Sequence, residues 1–176
     1  MAFTYSKLAE INVGSGGAVT IDFTNIPQNY TDLIVKASLR DSTSDTDANF
    51  WIRFNDNLVG YSRQYLYGGG SAHGGIALSG TSENRLYAAY SNSATSTGST
   101  FGSTEFYIPN YTANASKSVS LESVAEGNIG GMRMAMVAGL WAGTVAINKI
   151  SIFPWSFPSP FVQHSTATLY GVKAEV

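Results

Sequence analysis

The chain has 176 residues, of which 44% are apolar and only 12% charged, with a net charge of −2 and no cysteine. That length holds one domain with a sizeable core and is short for two. Disulfides and thiolate metal sites are excluded, and a chain without basic runs is not built to neutralise a phosphate backbone, so no nucleic-acid partner is expected.

The charge deficit is filled by Ser, Thr, Asn and Gly. Such a surface stays wet but repels its neighbours weakly, which suits dense packing in an assembly. The opening "MAFTYSKLAEINV" lacks the apolar stretch of a signal peptide, and nothing approaches the length of a transmembrane helix. The expectation is a chain made in a cytoplasm, with no membrane partner.

Period-two alternation with one apolar face marks half-buried antiparallel strands, and it predicts them along most of the chain. The first is expected over 4–12. After the turn "GSGG", Val19, Ile21 and Phe23 alternate with Thr20 and Asp22 in a strand over 17–24. Pro27 then fixes its own φ and pushes Ile26 toward extended geometry, while Asn29 and Thr31 can bond nearby backbone. In the strand over 32–41, Leu33, Val35, Ala37 and Leu39 face one way and Lys36, Ser38 and Arg40 the other.

"DSTSDTDAN" follows. Asp45, Asp47 and Asn49 place hard oxygen ligands at alternate positions, as in a calcium loop, but the turn glycine and distal Glu of an EF-hand are missing. The competing reading is a solvated acidic loop. Phe50, Ile52 and Phe54 share a face of a strand over 48–55. Tyr61, Tyr65 and Tyr67 share a face of the next, over 59–67. On a solvent face these tyrosines would stack against sugar rings; against a partner sheet they are core.

Two long loops rich in Gly, Ser and Thr are expected over 67–84 and 90–103, flanking a strand at 85–90. They read either as flexible surface or as segments ordered against a neighbouring subunit. "YGGGSAHGG" lacks the Gly-Lys-Ser/Thr ending of a phosphate loop. His73 and His164 are the only histidines, and no G-x-S-x-G elbow or prominent pair of carboxylates accompanies them. No catalytic set and no cofactor are expected.

Further strands are expected over 104–109, 117–125, 132–142, 147–153 and 167–175. Met132, Met134 and Met136 share one face, expected to fill gaps in the core, with Arg133 on the other. "IFPWSFPSPF" sets Trp155, Phe157 and Phe161 among three prolines, which rules out an ordinary central strand. It reads as a stiff loop, either a lid over the end of the core or an anchor in an interface. Many short strands without helical crossovers predict one all-β domain over 1–176, an antiparallel, jelly-roll-like β-sandwich.

Four blocks in order carry a resemblance: "FTNIPQNYTDLIVKASLRD" (23–41), "FWIRFNDN" with "YSRQYLYGGG" (50–70), "GLWAGTVAINKISIFP" (139–154) and "STATLYGVK" (165–173). Together they resemble the β-sandwich modules of bacteriophage tail, fibre and capsid-surface proteins. The resemblance implies a virion structural protein without enzymatic activity, made in the host cytoplasm and carried in the virion. Its leading form is a capsid decoration, or cement, protein: a homotrimer whose partners are copies of itself and the major capsid protein. Trp155, Phe157, Phe161, Tyr61, Tyr65 and Tyr67 are the candidate interface residues. The alternative is a tail-fibre adhesin that recognises host glycans.

Overall fold

A computed structural model describes residues 3–45, 48–70, 72–127 and 131–174. Twelve strands are formed and no helix among the described residues: β1 (Phe3–Asn12), β2 (Ile21–Phe23), β3 (Asp32–Leu39), β4 (Asn49–Phe54), β5 (Tyr61–Gly69), β6 (Ala72–Glu83), β7 (Leu86–Tyr90), β8 (Gly102–Ile108), β9 (Lys117–Gly127), β10 (Gly131–Trp141), β11 (Ile150–Pro154) and β12 (Thr166–Ala174). They make an eight-stranded sheet, ordered β1-β12-β3-β8-β9-β10-β5-β6, and a four-stranded sheet, ordered β2-β11-β4-β7. All strand pairings are antiparallel.

The expected sandwich is present, and its jelly-roll character lies in the pairing. Setting aside the hairpins β5–β6 and β9–β10, the strands pair first with last, β1 with β12 and β2 with β11, then β3 with β8 and β4 with β7. This is one long hairpin rolled up so that the chain alternates between two four-stranded sheets. The two extra hairpins widen only the larger sheet, whose β5–β6 end overhangs the smaller one.

The core follows from the alternation. Leu33, Val35 and Leu39 of β3 face Phe50, Ile52 and Phe54 of β4, with Phe106, Trp141 and Ile150 filling the space between the sheets. Trp141 packs 5.6 Å from Phe54 and 6.3 Å from Tyr61, centroid to centroid. Removing one of these buried rings would cost about 3–5 kcal/mol. Gly171, the glycine of "LYGVK", lies beneath Tyr30: a Cβ there would come within 2.5 Å of the ring. Only glycine allows that approach.

Two expectations are corrected. The stretch 67–84 is not a long loop; its described residues carry the end of β5 and the whole of β6, which pair as a hairpin. Its glycines make room for cross-strand side chains. A Cβ on Gly74 would meet the Tyr67 hydroxyl at 2.9 Å, and one on Gly75 would meet Leu66 at 3.0 Å. The other expected loop is present, over 91–101 between β7 and β8, and hydrogen bonds within the chain hold it. Arg40 Nη1 donates to the carbonyls of Thr97 (2.8 Å) and Thr100 (2.9 Å), and Nη2 donates to that of Ser96 (3.2 Å). Asn92 accepts from the Glu126 amide at 3.0 Å, and Ser93 donates to the Asp45 carbonyl at 2.6 Å.

The second correction concerns the methionines. Met132, Met134 and Met136 are 59%, 53% and 57% exposed, while Ala135 and Val137 face the core. The inner side of β10 has no room for long side chains, because β7 packs close against it: a Cβ on Gly139 would lie 2.8 Å from Leu86. Alternation told which residues share a face of β10, but not which face is buried.

Candidate functional site

Two surfaces concentrate unusual side chains. The first is the outer face of the larger sheet. Here Met134 pairs across to Val124 of β9, and Met136 pairs to Leu66 of β5 and Glu122 of β9. Val124 is 43% and Leu66 60% exposed, so they join the methionines in one continuous apolar patch. Farther along the face, Lys36 of β3 and Glu105 of β8 pair at 2.9 Å. Tyr107 donates to Asp32 at 2.7 Å, and Asp32 also accepts the Asn110 amide at 2.8 Å. The face is concave. Depressions of about 950 Å³ and 560 Å³ share Glu105, Glu122 and Met136 and merge into a trough across the middle strands.

The second surface is a corner where the outer face of the smaller sheet meets the overhanging β5. Trp51, Tyr87 and Phe153 sit side by side on β4, β7 and β11. Trp155 lies flat on Trp51, with centroids 4.6 Å apart and planes 9° apart, and meets Tyr87 edge-on at 5.5 Å. Phe157 is edge-on to Phe153 at 6.2 Å. Three arginines thread this lattice. Arg85 lies 4.1 Å over Trp51, Arg63 lies 4.1 Å over Tyr87, and Arg53 lies 5.0 Å over Phe153. Burial lowers the pKa of both Arg63 and Arg85, and for Arg85 the neighbouring Arg53 charge adds to it.

The structure divides the expected interface residues. Trp155 (49% exposed) and Phe157 (54%) reach the surface. Phe161 is fully buried, tied by backbone to Ala18 and Asp41, and belongs to the core. Tyr61 is also fully buried. Its hydroxyl accepts from the Phe54 amide at 2.9 Å, and burial pushes its pKa up to about 12. Tyr65 and Tyr67 are half-buried on the inner side of the overhang, 5.8 Å apart. The three tyrosines therefore share a face, as alternation required, but Tyr61 has no free surface. The partners that alternation did not single out are Trp51, Tyr87, Arg63 and Arg85, which only the folding of β4, β7 and β5 brings together.

The acidic loop is also divided. Asp45 is exposed, Asp47 lies outside the described residues, and Asn49 is buried with its side-chain oxygen accepting from the Tyr87 hydroxyl. No group of three His, Asp or Glu side chains placed to hold a metal occurs among the described residues. Asp41 is buried too, accepting from the Thr43 amide at 2.9 Å and the Ser91 hydroxyl at 3.3 Å. Burial raises its pKa above the usual carboxylate value. His73, on edge strand β6, and His164, beside the β1 end of the same sheet, are far apart in the strand order.

Comparison with protein-family models and with curated proteins finds no match. Among solved structures, the galectin LEC-6 of Caenorhabditis elegans aligns over 94% of this chain and 96% of its own, at 11% identity and a TM-score of 0.32.

Proposed function

We propose that the chain is a non-enzymatic virion structural protein, in the form of a capsid decoration protein. It would act by burying the outer face of its larger sheet against neighbouring protein, in a homotrimer or on the major capsid protein. The observation that carries this reading is the patch of Met132, Met134, Met136, Val124 and Leu66, each 43–60% exposed, on a sheet face whose other outward side chains are mostly hydroxylated or acidic. Soluble proteins seldom leave a contiguous apolar patch uncovered unless something binds it. Methionine suits such a surface because its flexible thioether adapts to the partner's shape.

The dimensions are adequate. The five strands β3, β8, β9, β10 and β5 each run seven residues or more. At ~4.8 Å between strands and ~3.3 Å per residue they present about 600 Å² in projection, near the ~800 Å² that each partner gives to a standard interface.

Mass-spectrometric counting in purified virions tests the proposal. Hundreds of copies per particle are expected. A handful would indicate the tail, and none would end the virion reading. One observation favours the alternative, a glycan-recognising adhesin: Trp155 offers an open ring face beside cationic side chains.

A further inference from the structure

We propose that the corner formed by Trp155, Trp51, Tyr87, Arg63 and Arg85 is a binding site for an acidic oligosaccharide, with one sugar ring on the open face of Trp155 and a carboxylate on the arginines. The inference deepens the glycan-recognising alternative and is independent of where on a virion the chain sits.

Three of the five arginines of a chain with net charge −2 gather in this corner. Among the described residues none of the three has a carboxylate within ion-pair distance. Glu83 is the carboxylate that acts on Arg63 and Arg85, and it does so through space, without a bond. Several donors are buried without any acceptor: Trp51 Nε1, Arg63 Nε and Nη1, and Arg85 Nε. Trp51 is itself only 6% exposed. These N–H groups meet ring faces, which hold the guanidinium groups in place but satisfy them weakly. Among the described residues the other nitrogens, Arg63 Nη2 and both Nη of Arg85, make no hydrogen bond either, and both residues are only partly buried. Partly buried cations fixed by stacking and left without a bonded acceptor suit a carboxylate, which takes such donors in pairs.

The aromatic side decides the ligand class. Trp155 uses one face on Trp51, and its backbone amide donates to the Asn49 carbonyl at 2.9 Å. Proline follows it at 158 and 160, so the ring is offered from a stiff loop and little entropy is lost on binding. The corner thus offers π faces and N–H donors. A neutral sugar could lay a ring on the indole but brings no anion to the guanidinium groups, and an acidic side chain of a peptide brings the anion without a flat C–H face. A carboxylated sugar has the flat face and the anion. Arg63 stacks on Tyr87 at 4.1 Å, and Tyr87 meets Trp155 at 5.5 Å, so Arg63 lies within about 10 Å of Trp155, inside the reach of two linked sugar rings.

The test is calorimetric titration of the full chain, with tryptophan fluorescence as a second signal. The probes are an oligogalacturonate, its methyl ester, a neutral oligosaccharide of equal length, and oligoglutamate. The acid form should bind and perturb fluorescence, and the ester should not. Arg85→Gln and Arg63→Gln, which keep most of each stem, should each weaken binding about tenfold or more, as expected for a lost charged hydrogen bond. Met134→Ser with Met136→Ser should leave it unchanged. Equal binding of acid and ester, or no binding of the acid at millimolar concentration, would overturn the proposal. Binding of the neutral sugar with no effect of either arginine variant would overturn it while leaving the glycan reading standing. Equal binding of oligoglutamate would also overturn it, in favour of an acidic protein partner.

Discussion

Replacing Trp155 by alanine separates a lid from an anchor, because the ring is neither fully buried nor free. It keeps 49% of its surface exposed and gives one face to Trp51 and an edge to Tyr87. A fully buried aromatic truncated to alanine costs about 3–5 kcal/mol, so half the burial scales to about 1.5–2.5 kcal/mol. A stacked pair contributes ~0.5–1.5 kcal/mol of that. The Trp155–Asn49 backbone bond survives the substitution, so the loop keeps its path. Urea unfolding of Trp155→Ala should therefore show a midpoint lower by about 2 kcal/mol in stability, with an unchanged slope. Near-ultraviolet circular dichroism should change as Trp51 loses its stacked partner. A loss of 4 kcal/mol or more would refute the half-docked geometry and make Trp155 a core residue. A loss below about 0.5 kcal/mol would mean the ring does not rest on Trp51.

Arg40→Ala removes the donors that hold the carbonyls of Ser96, Thr97 and Thr100, so limited proteolysis should cut within 94–101 while the rest stays folded; unchanged resistance would show that Asn92 and Glu126 hold the loop unaided. For Asp41, burial favours the neutral acid in the folded state, so stability is lost as pH rises from the ordinary carboxylate range through the raised folded pKa. Asp41→Asn, which keeps an acceptor for Thr43, should raise the melting temperature at pH 7 and lose that advantage near pH 3; a constant difference would contradict the burial argument. Met134→Ser with Met136→Ser should change folding stability by less than about 0.5 kcal/mol, as at exposed sites, yet abolish self-association or capsid attachment measured by light scattering; intact assembly would remove the sheet face from the interface.

Eleven strands were legible because alternation writes one buried face directly into sequence. The twelfth, β6, was hidden because its glycines signal a loop. They are there to clear Tyr67 and Leu66 on the neighbouring strand, a requirement set by pairing and not by local propensity. Trp155 and Phe157 were legible as a stiff aromatic display. Their setting was not, since Trp51, Tyr87 and Arg85 are distant in sequence and each reads alone as ordinary strand content. Arg40 is the same kind of case: in sequence it is one polar position of a strand, and in the fold it organises a loop more than fifty residues away.

Methionine oxidation footprinting tests the central claim most directly, because three of the four methionines lie on the face proposed to be covered. Met132, Met134 and Met136 should convert to sulfoxide readily under dilute peroxide in the isolated chain. In the assembled particle, peptide mass spectrometry should find all three protected together. Equal oxidation of these methionines in the free and assembled protein would contradict the account.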